Sequence, residues 1–365
     1  NPEKVSEALR KSLLKDKVVV QEYSKIAKFI QSIQNNTVWI DPTTLNAKLS
    51  MSLPSGSIQS HTSCIMTMKA VKNNTEIQHI RRVMEKDATA IMNAMMWLEE
   101  QHRQEHFPTE FEFAQKLISF RSKHKTYVNE SFNAIVGYKS NGAIIHYRPD
   151  EKKSSKIRKS GILLIDTGGQ YLDGTTDITR TISLGPVSSN IKKQYTAVLK
   201  GHIALANLVF PSGTKGVQID GFARQFLWRD GLNYSHGTGH GVGFFMNVHE
   251  PPQGFVTAYN QRGSSEFTEG MLTSNEPGYY QEGSHGIRIE NLVLSALHSE
   301  SDHGKFLCFE TVSLFPIDTS LIDYKMMDKA SVDWLNNYHK EVYSRLSKYC
   351  NPSQNRWLKN KCKRI

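Results

Sequence analysis

Cysteine and long apolar runs are both scarce in this chain of 365 residues. The four cysteines, Cys64, Cys308, Cys350 and Cys362, are too widely spaced for a disulfide framework or a thiolate metal site. This spacing favours a reducing compartment, so we predict a cytoplasmic protein. No stretch approaches the ~18 apolar residues of a membrane span, and the start shows no signal-peptide core. We therefore expect no association with a membrane.

Acidic residues are outnumbered, with 35 Asp and Glu against 45 Lys and Arg and a formal net charge of +10. A basic chain is attracted to phosphate groups. The basic residues are nevertheless scattered, and no basic motif interleaved with aromatic residues occurs. The two basic runs, 152–159 and 356–364, are interpreted as a solvated surface loop and a disordered tail. The composition thus predicts no nucleic-acid partner.

Four carboxylates and one histidine lie in contexts that predict strands and turns. They are Asp166, Asp177, His240, Glu276 and Glu290. Ionised carboxylates would repel one another in a folded interior unless cations were present, and two divalent ions would cancel their charge. Oxygen ligands with a single imidazole suit Mn²⁺, and less selectively Co²⁺, Zn²⁺ or Fe²⁺.

The residues around the two aspartates predict a hairpin. Residues 161–166 form an apolar run that ends in Asp166, which is typical of a buried strand. Residues 176–183 alternate between polar and apolar as a returning strand does, and the glycines between the two segments indicate turns. Such a hairpin would bring Asp166 and Asp177 together, although a single aspartate beside glycines is more often a turn or cap residue.

Three histidines, His236, His240 and His249, lie close together in the sequence. Gly237 and Gly239 disfavour a helix here, so we interpret the segment as a strand or loop whose backbone closely approaches another part of the chain. The clustering predicts that at least one histidine is a ligand or an acid–base group.

The two glutamates lie in different contexts. The Pro-Gly pair at 277–278 predicts a turn directly after Glu276. Residues 286–294 alternate and predict one strand, with Arg288 and Glu290 on the face opposite the isoleucines. Taken alone, Glu290 would be a solvated ion-pair partner of Arg288.

Helices are predicted on both sides of these motifs. The first covers residues 74–101 and has an apolar stripe at helical spacing. A capping box at 109–112 opens a second helix, and residues 192–210 fit a third. A last amphipathic helix has the stripe Val332, Leu335, Tyr338, Val342 and Leu346, which either packs on the core or forms a dimer contact. Helices alternating with strands indicate an α/β domain.

Taken together, the motifs resemble those of the cytosolic Xaa-Pro aminopeptidases, also called aminopeptidase P. The matching segments are 166–171, 173–180, 210–216, 236–243, 247–250, 276–280 and 286–291, and the resemblance extends from about residue 70 to about residue 339. It implies the pita-bread α/β fold shared with methionine aminopeptidase, prolidase and creatinase. It also implies a homodimer and two metal ions, usually Mn²⁺.

The resemblance divides the chain into three regions. The pita-bread catalytic domain would cover 70–326, and a C-terminal helix with a basic tail would cover 327–365. Residues 1–69 resemble only the later part of a creatinase-type N-terminal domain. We therefore expect a fragment or processed form, in which the predicted strand at 37–40 lacks a partner.

The resemblance also implies roles for the five ligands. Asp166 would bind one ion, His240 and Glu276 the other, and Asp177 and Glu290 both. A water that bridges the ions would act as hydroxide on the scissile carbonyl.

Four catalytic residues are implied in the same way. Glu276 would carry the proton from the attacking water to the leaving nitrogen. His249 would help to stabilise the oxyanion. His146, His236 and His249 would also line the substrate site. The predicted reaction is hydrolysis of the N-terminal Xaa-Pro bond of peptides with proline in second position.

Three other functions are weighed against this one. A prolidase-like Xaa-Pro dipeptidase cannot be separated from an aminopeptidase by the chemistry of the residues alone. A catalytically inactive pita-bread scaffold is disfavoured because all five ligands are present. An aspartic protease is disfavoured because the Asp-Thr-Gly motif at 166–168 occurs once, whereas that mechanism needs a pair of aspartates.

Overall fold

The computed structural model describes residues 2–33, 36–54, 56 and 58–365. The chain divides into two compact units, one ending at Met68 and the other running from Lys69 to Ile365. No helix within the described residues is long and apolar enough to cross a membrane. All four cysteines lie in the described ranges and are free thiols. The three-region division stays a prediction, and positions 1, 34, 35, 55 and 57 of its first region lie outside the described residues.

The first unit is built from short elements. They are α1 (Glu7–Lys15), α2 (Ile26–Gln31), β1 (Val38–Ile40), α3 (Ala47–Ser50), β2 (Ile58–Ser60) and most of α4 (Cys64–Ala70). Strand β1 was predicted, but the expectation that it lacks a partner is wrong because β2 pairs with it in parallel, Val38 opposite Ile58. Helices α1, α2 and α3 contain no fully buried residue.

The second unit contains the remaining elements. Its helices are α5 (Asn74–Arg103), α6 (Glu110–Arg121), α7 (Ser189–Ala206), α8 (Gly216–Trp228), α9 (Gln261–Ser264), α10 (Lys329–Leu346) and α11 (Pro352–Lys361). Its strands are β3 (Tyr127–Glu130), β4 (Ile135–Tyr138), β5 (Ile162–Thr167), β6 (Gly169–Tyr171), β7 (Gly174–Thr175), β8 (Ile178–Ser183), β9 (Val209–Pro211), β10 (Leu272–Asn275), β11 (Gly278–Gln281), β12 (His285–Arg288), β13 (Asn291–Ser301) and β14 (Gly304–Thr311).

Two antiparallel sheets supply most of the framework around the site. One has the order β4-β5-β8 and the other β10-β13-β14-β9. The predicted pairing of the strands that flank the aspartates is confirmed, with Asp166 opposite Thr179, and the short strands β6 and β7 form the connection. In the second sheet Asn275 lies opposite Asn291. The residues that follow β10 and precede β13, Glu276 and Glu290, are thereby brought to one edge.

The long helices cover these sheets. Helix α5 is confirmed and begins with a capping box between Asn73 and Glu76, and the predicted capping box also opens α6. Helix α7 ends at Ala206, earlier than predicted, because the chain turns there and Val209 enters β9, which pairs with β14. Helices α7 and α8 approach so closely that a Cβ at Gly201 would lie 2.0 Å from the carbonyl oxygen of Ala223.

Two helices, α10 and α11, make up most of the C-terminal region. The stripe of α10 is buried in the core of the unit, including Leu335, Val342 and Leu346, so it does not provide a dimer contact. The disordered tail predicted at 356–364 is wrong, because most of this run lies in α11. Asn351 and Gln354 form the capping box of that helix, and its Leu358 is completely buried.

Candidate metal centre and substrate cleft

The five predicted ligands line one cleft of about 490 Å³. Asp177, His240 and Glu290 each offer a ligand atom within 4.8 Å of the other two. His240 Nε2 lies 3.3 Å from Glu276 Oε1 and 3.6 Å from Asp177 Oδ2. Asp166 lines the same cleft. The fold therefore assembles the whole donor set from strands, turns and one loop.

Asp166 and Asp177 are held by the β5–β8 pair. Asp166 is the second-last residue of β5, and Asp177 directly precedes β8. Asp166 Oδ2 accepts a hydrogen bond of 2.6 Å from Arg288 Nη2. Its other oxygen, Oδ1, is buried and has no hydrogen-bond partner among the described residues. A buried anionic oxygen without a partner is costly unless a cation faces it.

His240 lies in a loop alongside β10, in agreement with the predicted close approach of its backbone. A Cβ at Gly239 would lie 1.8 Å from the carbonyl oxygen of Ser274, so only glycine fits there. The backbone N–H of His240 donates to Ser274 Oγ at 2.9 Å. His240 Nδ1 lies 3.0 Å from the Gly241 carbonyl oxygen, which assigns the proton to Nδ1 and leaves Nε2 free to bind a metal.

The surroundings of Glu290 differ from those predicted. Residues 286–294 do not form one strand, because β12 ends at Arg288 and β13 begins at Asn291. Glu290 lies at this break, is 1% exposed, and is therefore not a solvated ion-pair partner. Its Oε2 accepts a 2.7 Å hydrogen bond from Thr179 Oγ1, and its N–H donates to the Thr179 carbonyl oxygen at 3.1 Å.

Glu276 is held at the end of β10. Its Oε1 accepts a 3.0 Å hydrogen bond from Ser274 Oγ, and its N–H donates to the carbonyl oxygen of Thr238 at 2.8 Å. Pro277 follows, and β11 begins at Gly278. The glutamate is thus fixed on both sides, next to the His240 loop.

Burial shapes the titration of these groups. Desolvation and the charges of neighbouring carboxylates raise the pKa of Asp177 and of Glu290 well above their usual values. Desolvation raises the pKa of Glu276 to about 7, against the lowering effect of Arg288. Burial lowers the pKa of His240 to about 3, so its imidazole is neutral near pH 7. Bound cations would stabilise the ionised forms of Asp177, Glu276 and Glu290.

Arg288 and Tyr280 are functional candidates that the sequence patterns did not single out. Arg288 Nη1 donates to Tyr280 Oη at 2.8 Å, while Nη2 holds Asp166. His236 Nδ1 lies 2.7 Å from the Gly237 carbonyl oxygen and Nε2 lies 2.9 Å from Tyr280 Oη. Tyr280 and Arg288 therefore link His236 to Asp166, one of the predicted ligands. Burial and the charge of Arg288 lower the pKa of His236 to about 3.

The other two predicted histidines also line the cleft. His249 packs edge-on against His240 with ring centroids 4.2 Å apart. Partial desolvation and the charge of Arg262 lower its pKa. His146 is exposed to solvent. The neighbouring Glu250 is buried and forms an ion pair with Lys69 at 2.7 Å, which anchors the loop that carries His249.

Comparisons with known proteins identify the family of this chain. Residues 78–295 match metallopeptidase family M24, residues 305–365 match the C-terminal region of peptidase M24, and residues 1–76 match the creatinase/prolidase N-terminal domain. This chain belongs to metallopeptidase family M24. The predicted fold, a pita-bread α/β domain preceded by a creatinase-type domain, is confirmed for this M24 protein.

Two curated M24 relatives are similar over most of the chain. Xaa-Pro aminopeptidase 1 of Dictyostelium discoideum is 38% identical over 363 residues, which cover 97% of this chain and 57% of that protein. Aminopeptidase P2 of Arabidopsis thaliana is 43% identical over 297 residues, which cover 80% of this chain and 41% of that protein. The chain therefore spans about half the length of these relatives.

Two solved structures are similar to this chain in fold. An X-prolyl aminopeptidase from Caenorhabditis elegans, described as a cytosolic enzyme with a di-nuclear active site, matches with a TM-score of 0.94 and 32% identity. The match covers 100% of this chain and 61% of that one. A Xaa-Pro dipeptidase from Bacillus anthracis, at 21% identity and a TM-score of 0.69, shares the fold.

Proposed function

We propose that this M24 chain is a metal-dependent aminopeptidase that hydrolyses the N-terminal Xaa-Pro bond of peptides. The observation that carries the proposal is the convergence of the five-residue donor set and three histidines in one cleft. The similarity to relatives named Xaa-Pro aminopeptidase supports the choice of substrate.

The donor set fits two divalent ions, with Mn²⁺ as the first candidate and Co²⁺, Zn²⁺ or Fe²⁺ as alternatives. The unpartnered Asp166 Oδ1 and the free His240 Nε2 support this fit. We assign Asp166 to one ion, His240 and Glu276 to the other, and Asp177 and Glu290 to both. When bound, the ions supply Lewis acidity that polarises the scissile carbonyl and lowers the pKa of water.

Glu276 is the proposed proton carrier. Its carboxylate borders the cleft beside His240, where it can take a proton from the attacking water and deliver it to the leaving proline nitrogen. His249 is proposed to donate a hydrogen bond to the oxyanion that forms at the scissile carbonyl. Its packing against His240 places it beside the donor set rather than at a distant wall.

Proline in second position has a physical rationale. The Xaa-Pro bond is a tertiary amide without an N–H, so the site must recognise the ring and the flanking groups instead. We propose that His146, His236 and His249 line this substrate site. The free α-amino group of the peptide would lie near Asp166, whose negative charge favours a cation.

We further propose a cytoplasmic location and a homodimer, with neither a membrane nor a nucleic acid as partner. The free thiols support the location, and the C. elegans structure is described as cytosolic. The dimer rests on the resemblance to the family. Light scattering of the purified protein tests it, and a monomer at micromolar concentration would contradict it.

The decisive experiment combines metal analysis with peptide cleavage. The protein is stripped with a chelator, reloaded with Mn²⁺, and assayed on Arg-Pro-Pro, on the control Arg-Ala-Pro, and on the dipeptide Gly-Pro. We expect close to two ions per protomer and cleavage of Arg-Pro-Pro well above both other peptides. Preference for Gly-Pro would indicate a dipeptidase, and metal binding without cleavage would indicate a scaffold.

A further inference from the structure

Arg180 is a buried cation directly behind the candidate metal centre. It lies on β8 next to Thr179 and is 4% exposed. Its Nη1 donates to the carbonyl oxygens of Glu290 at 2.6 Å and Thr179 at 2.8 Å. Its Nη2 donates to Asn291 Oδ1 at 2.8 Å. One guanidinium thus binds the backbone carbonyl of Glu290, a predicted bridging ligand, and the side chain of Asn291, the residue that follows it.

The remaining donors of Arg180 bind the C-terminal part of the chain. Nε donates to the carbonyl oxygens of Phe315 and Pro316, and Nη2 also donates to Tyr338 Oη at 2.8 Å. In the described part of the chain, none of the hydrogen-bond partners of Arg180 is a carboxylate. A buried charge without a counterion is costly unless every donor is satisfied. This geometry therefore depends on each of these acceptors.

Tyr338 brings helix α10 into the network. Its side chain is 6% exposed, and its Oη lies 3.0 Å from the carbonyl oxygen of Ser313, which precedes the Phe315 segment. Oη also accepts the Phe315 N–H at 3.2 Å. The hydroxyl thus joins α10, the 313–316 segment and Arg180 at one point.

His202 extends the network to the second glutamate. Its Nε2 accepts from Asn291 Nδ2 at 3.0 Å and its Nδ1 lies 3.0 Å from the Asn275 carbonyl oxygen. Asn275 Nδ2 returns a hydrogen bond to the His202 carbonyl oxygen at 2.9 Å. Asn291 follows Glu290 and Asn275 precedes Glu276. Both glutamates of the donor set are therefore backed by the same polar network.

We propose that Arg180 and Tyr338 are positioning residues, which connect helix α10 to Glu290 and hold this glutamate in the geometry that binds metal. Through Asn291 and His202, the same network also holds Glu276. The inference rests on the proposed function, since it concerns the same site. Neither residue lines the cleft, so both act through the backbone of the ligands. Groups that orient metal ligands typically change metal affinity by about 10–100-fold when removed.

The test compares metal affinity in three conservative variants. Tyr338→Phe removes one hydroxyl, and Arg180→Lys keeps the charge but loses the planar fork of donors. Tyr343→Phe is the matched control, because Tyr343 lies on the same helix and its Oη binds Asn355 Oδ1 in α11, away from the network. Mn²⁺ affinity of the stripped proteins is measured by calorimetry, and the visible spectrum of the Co²⁺ forms reports ligand geometry.

We expect Arg180→Lys to weaken binding of at least one ion about tenfold or more, and Tyr338→Phe about three- to tenfold, each with an altered Co²⁺ spectrum. Tyr343→Phe should stay within about twofold of wild type. In Tyr338→Phe the kcat at saturating Mn²⁺ should return close to the wild-type value, because the reacting groups are intact. If Arg180→Lys does not fold, the metal affinity of Tyr338→Phe tests the proposal on its own.

Wild-type affinity and spectrum in a folded Tyr338→Phe would overturn the proposal. A lower melting temperature with unchanged Mn²⁺ affinity would also overturn it, since the role would then be structural alone. A wild-type chain that binds metal but cleaves no peptide would overturn the proposed function only, because the affinities would still decide the network. A wild-type chain that binds no Mn²⁺ would overturn both.

Discussion

Glu290 lies between the buried guanidinium of Arg180 and the buried carboxylate cluster of the cleft. The two differ in how completely their hydrogen-bonding groups are paired. On the side away from the cleft, Arg180 has no carboxylate partner among the described residues and donates to carbonyl, amide and hydroxyl oxygens. On the cleft side, four carboxylates face a single buried guanidinium, that of Arg288, and Asp166 Oδ1 has no hydrogen-bond partner in the described chain. All N–H donors of Arg180 are thus hydrogen-bonded, whereas the carboxylate cluster has more acceptor oxygens than donors.

The difference separates a structural role from a binding role. A saturated network fixes one backbone geometry, because any movement breaks several hydrogen bonds together. An unsaturated cluster of anions favours proton uptake or cation binding, and desolvation accordingly raises the pKa of Asp177, Glu276 and Glu290. The predictions below test this contrast, beginning with the cleft side.

The largest effect is expected from replacing a proposed bridging ligand. Asp177→Asn or Glu290→Gln should lower the metal content from about two ions to one or fewer and reduce kcat/KM by roughly 10³ or more, because metal coordination supplies several kcal/mol. Elemental mass spectrometry and the Arg-Pro-Pro assay measure the two effects. Asp230→Asn and Glu282→Gln, at exposed positions, are the matched controls. Full stoichiometry in both ligand variants would contradict the assignment.

A smaller effect is expected at His249, which lines the cleft without belonging to the donor set. His249→Ala should retain both ions and lower turnover by roughly 10², because one preorganised donor to an oxyanion is worth about 3 kcal/mol. Elemental analysis and steady-state kinetics are measured on the same sample. His298→Ala, at an exposed position of β13, is the control. Near-normal turnover would show that His249 is structural.

The pH dependence sharpens the contrast further. The pKa of Glu276 is about 7 in the folded metal-free protein and about 4.5 when the residue is unfolded. The folded state therefore retains a proton that the unfolded state loses, so this stabilisation is complete below about pH 4.5 and disappears as pH rises to about 7. Asp177 and Glu290, with raised pKa values, act in the same direction. The buried His236 and His240, with pKa values of about 3, act in the opposite direction.

The measurement must therefore isolate the carboxylates. The difference in melting temperature between Mn²⁺-loaded and chelated protein should grow from about pH 5 to about pH 8, since metal must displace protons from the ligands. The histidines are neutral in both folded forms above pH 5 and cancel in the difference. A difference that shrinks with rising pH would contradict the raised carboxylate pKa values.

The smallest effect on metal binding is expected from cleavage in the first unit. That unit has exposed apolar side chains such as Leu14, Phe29 and Met51. The carboxylate cluster and the Arg180 network both lie in the second unit. Limited proteolysis should trim the chain to a core that begins near Ala70 and retains its ions. Uniform resistance from the N-terminus onward would show that the first unit is stable as it stands.

Sequence patterns predicted the strand pair beside Asp166 and Asp177 correctly, and the surroundings of Glu290 incorrectly. The apolar run before Asp166 and the alternation after Asp177 sufficed for the β5–β8 pair. Alternation failed at Glu290, because both faces of that segment are buried and periodicity cannot reveal a break between two strands. The basic residues at 356–364 led to the incorrect prediction of a disordered tail. A capping box and the buried Leu358 instead stabilise α11 there.

Arg180 illustrates what local patterns cannot supply. A polar residue inside an alternating strand is most simply read as solvent-facing, yet Arg180 is almost completely buried. Its partners at 290, 315 and 338 are distant in sequence. Only the tertiary arrangement places their oxygens around one guanidinium.

The wide sequence separation of the proposed ligands has a consequence for how the protein folds. Asp166 and its partner Arg288 are 122 positions apart, and such non-local contacts form late because the chain must close a long loop first. Metal ions therefore have no complete site to bind in early folding intermediates. Their stabilisation should appear as slower unfolding rather than faster folding, so that bound metal sets the lifetime of the native state.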